Sequence, residues 1–229
     1  MSGGRLVTYP DRDTQARELA ATVGDELRAA LEGKANATLA VAGGKTPAKF
    51  FELLSRQKLD WARVVVLPTD ERVVAENDER SNMGLIRRTL LKNEAAAARA
   101  FPLVGADGSV SFDATEADLR LHLPLDVCVL GMGEDMHTAS LFPGAKRLAE
   151  GLDLKNGRVL IEIEAPNAAE PRISLTAAVL RWAAHVHLLI AGAGKRAALE
   201  RARSGRDWAE APVRSILTGS VDTNIHYSD

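Results

Sequence analysis

Residues 126–143 read DVCVLGMGEDMHTASLFP, and the reading of this stretch decides how the rest of the chain is arranged. The run Asp126 to Leu130 (DVCVL) is short, apolar and rich in β-branched residues, as a buried strand would be. Gly131 and Gly133 then let the backbone turn sharply. The pattern predicts a buried strand ending in a loop that carries His137 next to Glu134 and Asp135. In open α/β sheets ligands gather outside the carboxyl ends of the strands, so an imidazole beside two carboxylates there is a candidate acid/base group. A lone histidine is more commonly a surface or satisfied core residue. Here the paired glycines, the adjoining acids and the small run Thr138-Ala139-Ser140 favour function.

Working outward, three other apolar runs end in the same way. Residues 37–42 (ATLAVA) predict a strand that empties into Gly43-Gly44-Lys45-Thr46-Pro47, followed by a helical run with Phe50, Phe51, Leu53 and Leu54. With Thr46 as N-cap and Pro47 as first helical residue, this turn would aim free amides at an anion; it reads equally well as an ordinary βα turn. A nucleotide-binding P-loop would need glycine where Leu39 stands. Residues 63–67 (RVVVL) predict a second strand, running into a charged loop with Asp70, Glu71 and Arg72, whose guanidinium fork suits oxyanions. Ser81 or Asn82 can then cap the next helix. Residues 185–191 (HVHLLIA) predict a strand ending in Gly192-Ala193-Gly194-Lys195. No strand with a ribose-binding acid follows, so this is not a dinucleotide fingerprint; Lys195 could serve a phosphate or simply be solvated. Residues 158–163 alternate like a strand and lead to the segment 171–176, where Arg172 has the same ambiguity.

Elsewhere, the spacing over residues 15–31 predicts an amphipathic helix, and residues 93–99 read as an alanine-rich helical segment. His185 and His187 alternate along one strand face without a third ligand at metal spacing, which favours strand packing over metal binding. His122 and His226 have no informative context.

The bulk properties narrow the function class. A chain of 229 residues can build one large α/β core without disulfides, and its single cysteine, Cys128, lies inside an apolar run where a buried thiol is expected. The N-terminus has no apolar stretch after its charges, no segment is long and apolar enough for a membrane span, and a cytoplasmic location is expected. A formal net charge of −2, with both signs interleaved, gives no general reason to bind nucleic acid or a membrane surface.

Taken together, AGGKTP (42–47), TDER (69–72) with SNMG (81–84), LGMGEDMHTASLFPG (130–144), PRISLT (171–176), AGAGK (191–195) and PVRSIL (212–217) resemble the glucosamine-6-phosphate isomerase/6-phosphogluconolactonase family, lactonase branch. The matches come in the family's order and run from about Thr38 to the terminal IHYSD. Two positions depart from the family pattern: Lys45, commonly serine, and Met136, commonly glycine, which asks whether the loop needs positive φ there.

The resemblance implies an α/β fold: a mainly parallel, modified Rossmann-like sheet with helices on both faces, in one domain over residues 1–229. It implies hydrolysis of 6-phospho-D-glucono-1,5-lactone in the oxidative pentose phosphate pathway, with no metal or cofactor and a monomer or weak dimer. His137 would be the general base, oriented by Asp135 or Glu134, and Arg72 would face the oxyanion. Gly44, Lys45, Thr46, Arg172 and Lys195 would hold the phosphate, and Gly43, Asp70, Asn82, Gly131 and Gly133 would complete the substrate site. Two other readings compete. An amino-sugar-phosphate isomerase or deaminase would need a carboxylate shortly after the histidine, where this chain has SLFP; a non-catalytic sugar-phosphate sensor would normally carry a helix-turn-helix segment.

Overall fold

The computed structural model describes residues 3–44, 46–165, 169–219 and 223–229. The chain runs β1 (Arg5–Thr8), α1 (Arg12–Gly33), β2 (Ala37–Val41), α2 (Ala48–Leu54), β3 (Val64–Pro68), β4 (Asp70–Arg72), α3 (Asn82–Thr89), β5 (Arg99–Ala100) and α4 (Phe112–Arg120). It continues β6 (Val127–Leu130), α5 (Leu148–Leu152), β7 (Leu160–Ile163), β8 (Arg172–Leu175), α6 (Ala177–Leu180), β9 (His185–Ala191), α7 (Ala193–Ser204), α8 (Arg214–Leu217) and β10 (Thr223–Ser228). Seven strands form one sheet in the order β1-β10-β9-β6-β2-β3-β5, and every neighbouring pair is parallel.

The strands read as continuous apolar runs because both faces of this sheet are covered. Leu39 and Val41 of β2, Val64 and Val66 of β3, and Val127 and Val129 of β6 pack on one side with Leu19, Val23 and Leu27 of α1, Phe50 and Phe51 of α2, and Ile86 of α3. Ala40, Leu67, Cys128 and Leu130 point the other way, toward Leu148 of α5, Leu199 of α7 and a second, small sheet. Each fully buried aliphatic or aromatic side chain contributes about 1.5–3 kcal/mol. Burial also pushes the Cys128 thiol well up, which keeps it protonated and inert.

That small sheet, antiparallel in the order β4-β8-β7, is the main departure from the sequence reading. The Asp70-Glu71-Arg72 segment, expected as loop, is its edge strand β4. The helix after Gly44 starts at Ala48, one residue later than expected: Pro47 adopts φ −80°, ψ 0° as a turn residue, and Thr46 makes no capping bond. Residues 93–99 are not an α-helix but a 3-10 turn (Asn93–Ala97) leading into β5. The helix read over 15–31 extends to Arg12–Gly33 because Asp11 caps it, accepting the Thr14 N–H at 2.7 Å. Ser81, not Asn82, caps α3, accepting the Gly84 N–H at 3.0 Å.

Three histidines outside the site are carried by the sheet itself, His185 and His187 on β9 and His226 on β10. His187, fully buried, meets Glu26 of α1 at 2.8 Å through Nε2 and His226 Nε2 at 3.0 Å through Nδ1. The Tyr9 hydroxyl reaches His226 Nδ1 at 2.7 Å, and His185 sits 3.2 Å from the other Glu26 oxygen. Burial, reinforced by neighbouring His187, pushes His226 down to about 3, so the ring is neutral and this polar seam ties β9, β10 and α1 together.

From β2 the chain moves to β3 on one side, and from β6 to β9 and β10 on the other. The switch in direction lies between adjacent strands β2 and β6, and a crevice opens there at the carboxyl ends.

Candidate active site

The crevice is a cleft of about 250 Å³ to which three adjacent strands, β2, β6 and β9, and the small sheet contribute. The turn after β2 supplies Gly43, Gly44 and Thr46; Lys45 lies outside the described residues. Gly44 has φ +95°, a conformation that favours glycine. Gly43 is needed for another reason: a Cβ there would fall 1.9 Å from Asn82 Oδ1, and Asn82 in turn donates to the Asp70 carbonyl at 2.6 Å.

β4 and β8 bring Arg72 and Arg172 directly opposite each other in antiparallel register. Like charges so placed repel, and burial together with the Arg72 charge pulls the Arg172 guanidinium below its usual range. Both arginines carry a buried Nε without a hydrogen-bond partner. Lys195, in the first turn of α7, adds a third cation to the lining, and Asp70 is the one acid among the described lining residues. None of these three cations forms an ion pair among the described residues. The cleft therefore has unspent capacity for an anion, although the whole chain is weakly acidic.

His137 enters from the loop after β6, with Gly131 and Gly133 on the same wall. Its Nδ1 lies 2.6 Å from Asp135 Oδ1, while Nε2 has no protein partner among the described residues. The carboxylate that orients the ring is Asp135. Glu134 turns away: a Cβ on Gly194 would meet its Oε1 at 2.4 Å, so Glu134 lies against the start of α7, and the site does not bring it to the imidazole. Neither acid lines the cleft itself.

The loop is held closed by its own backbone. Gly133 N–H donates to the His137 carbonyl at 2.9 Å and Met136 N–H to the Gly133 carbonyl at 3.0 Å. Met136 adopts φ +66°, so the loop does require positive φ there, and methionine accepts a strain that glycine would avoid. Val213 of the PVRSIL segment donates to the Met136 carbonyl at 3.1 Å, and Arg201 of α7 donates to that of Glu134 at 2.6 Å.

Several residues that shape the site were not visible in the sequence. Glu71, only 2 % exposed, accepts from the backbone N–H groups of Arg72, Asn82 and Met83 at 2.7–2.8 Å and from Ser81 Oγ at 3.1 Å. Burial raises its pKa and those bonds oppose the rise; the carboxylate pins Arg72 and Asn82 in place. Ser140 donates to Asp70 Oδ2 at 2.5 Å and its N–H meets Ser174 Oγ at 3.2 Å, so the histidine loop is bolted to the arginine-bearing sheet. Phe142 packs on His137, ring centroids 4.1 Å apart. Ser140 and Phe142 sit in the quoted SLFP segment, where their only signal was proximity to the histidine, and Ser174 sits in PRISLT.

A sequence model of the family described as glucosamine-6-phosphate isomerases/6-phosphogluconolactonase matches residues 10–225. The chain is 46 % identical to the 6-phosphogluconolactonase of Rhizobium meliloti over 205 residues, 88 % of each chain. It is 45 % identical to that of Pseudomonas aeruginosa over 229 residues, 99 % of this chain and 95 % of the other. Its fold is similar to the crystal structure of a 6-phosphogluconolactonase from Shewanella baltica, with TM-score 0.94 and 28 % identity over 99 % of this chain and 98 % of that one.

Proposed function

The chain belongs to the glucosamine-6-phosphate isomerase/6-phosphogluconolactonase family, and from that premise we propose that His137 is the general base of a lactone hydrolase. The enzyme hydrolyses 6-phospho-D-glucono-1,5-lactone to 6-phosphogluconate in the oxidative pentose phosphate pathway. The observation that carries the mechanism is the free Nε2 of His137 in a cleft walled by three unpaired cations, with Nδ1 held on Asp135.

The lactone is an ester, so its hydrolysis needs a water deprotonated near neutral pH, a stabilised tetrahedral oxyanion and a proton for the departing ring oxygen. Nε2 takes the proton as the water oxygen bonds to C1, while Asp135 stabilises the resulting imidazolium and fixes the ring tautomer. Arg72 faces the oxyanion. On collapse the C1–O5 bond breaks, and the imidazolium returns its proton to O5, which becomes the C5 hydroxyl. The phosphate is held at the other end of the cleft by Thr46, the Gly44 turn, Arg172 and Lys195. That grip is remote from C1 and aligns the carbonyl with the water, so binding energy is used for orientation. Residues 1–229 act as one unit, a monomer or weak dimer, which sedimentation velocity will check.

The purified protein should release acid from 6-phosphogluconolactone and no ammonia from glucosamine 6-phosphate. His137→Asn should bind 6-phosphogluconate normally and lose turnover. Ammonia without acid would overturn the lactonase reading, and full activity in His137→Asn would remove the base.

A further inference from the structure

Phe142 touches both ends of the proposed machinery. Its ring centroid lies 4.1 Å from that of the His137 imidazole, the planes tilted by 36°, and the Arg172 guanidinium carbon sits over the same ring at 5.2 Å. The ring is partly buried against the main core, next to fully buried Leu141, so it is a fixed surface. Among the described residues the Arg172 side chain makes no ion pair and no hydrogen bond; Asp70, Glu170 and Glu71 attract it only from beyond ion-pair distance, and the charge it faces in register, Arg72, repels it.

An aromatic partner solves a problem that a carboxylate would create. An ion pair would orient the guanidinium but occupy the N–H donors and cancel the charge that the anionic substrate needs. A ring face holds the guanidinium by its quadrupole and leaves the N–H donors at the edge free. The same holds for the base. Asp135 fixes Nδ1, which leaves the imidazole free to swing about that bond, and contact with Phe142 removes this freedom while leaving Nε2 open.

We propose that Phe142 is a positioning residue that sets the separation between the His137 imidazole and the Arg172 guanidinium, and through it the length of substrate the cleft accepts. The inference rests on the assignment of His137 as base. In Phe142→Leu, which keeps apolar bulk but has no π face, KM rises and kcat falls, each by about ten-fold. Phe142→Tyr recovers most of both losses. Arg172→Ala raises KM by a smaller factor in the Phe142→Leu background than in the wild type, because the guanidinium is already adrift there.

Should Phe142→Leu fail to fold, 3,4,5-trifluorophenylalanine at position 142 keeps the shape while stripping negative potential from the face. It should raise KM several-fold with an unchanged melting temperature. Multiplicative effects of the Phe142 and Arg172 substitutions, or wild-type kinetics in the fluorinated protein, would overturn the inference. If His137→Asn is inactive while Phe142→Leu and the fluorinated protein turn over normally, the positioning role of Phe142 is wrong and the base stands; if His137→Asn is fully active, both fall.

Discussion

Replacing Gly133 with alanine tests the catalytic geometry with one methyl group. The added Cβ would lie 2.1 Å from Asp135 Oδ1, 2.2 Å from His137 Nδ1 and 2.4 Å from His137 Cε1, all inside the distance that real Cβ atoms keep. Gly133 is not among the positive-φ residues, so alanine fits its backbone and the clash falls on the acid–imidazole pair alone. That pair must retreat by roughly 1 Å, a misplacement that costs about 100-fold in rate, or about 2.7 kcal/mol of transition-state stabilisation. The proposed phosphate grip comes from other strands, so KM should change little. Overpacking should lower stability by about 1–3 kcal/mol. Initial rates of acid release, read beside thermal melts, give both quantities. Gly157→Ala is the control: with φ +72° and nothing within 4 Å, it strains the backbone without touching the site and should move only the melting temperature. A folded Gly133→Ala enzyme with kcat within about three-fold of wild type would refute the proposal that His137, held by Asp135, is the base.

Three further outcomes follow from single contacts. Met136→Gly relieves the φ +66° strain, about 1–2 kcal/mol, against a larger unfolded-state entropy, and should stabilise the fold by up to about 1 kcal/mol; a lower melting temperature would contradict this. Ser140→Ala leaves buried Asp70 without a donor it now has at 2.5 Å and should cost about 1.5–3 kcal/mol in urea unfolding; no loss would show the bolt to be idle. His226 titrates near 3 when folded and near 6.5 when unfolded, so between these values the unfolded chain binds a proton that the folded one refuses. Stability should therefore fall as pH drops, with about 2.7 kcal/mol attributable to His226 by pH 4.5, and His226→Gln should remove that share of the slope; an unchanged slope would contradict this.

How much of this was legible in the sequence follows from what each element buries. β2, β3, β6 and β9 announce themselves because both faces are covered, which turns them into apolar runs; their glycine or charged endings mark the carboxyl side of the sheet. β10 hides because polar residues share its buried positions with Ile225 and Tyr227: Thr223, His226 and Ser228 sit in the sheet only because Tyr9, His187, Gln15 and a backbone carbonyl satisfy them. β4 hides because three charged residues carry no period, and its strand character comes from pairing with β8, a hundred residues later. The Thr46-Pro47 signature pointed one residue early, since proline fixes φ but not ψ, and ψ near 0° makes a turn. The choice between Glu134 and Asp135 could not be made locally. It depends on the reversal at Met136, which brings the residue two before the histidine onto Nδ1 and sends the one before that toward α7.

The proposed binding is directional: one end of the cleft would grip a phosphate and the other hold an imidazole over the lactone carbon. A crystal structure with 6-phosphogluconate bound tests this most directly. The account predicts the phosphate against Thr46, Arg172 and Lys195, with the C1 carboxylate between Arg72 and His137 Nε2. A phosphate seated on His137, or a sugar whose C1 lies out of hydrogen-bond and water-bridged reach of that nitrogen, would contradict it.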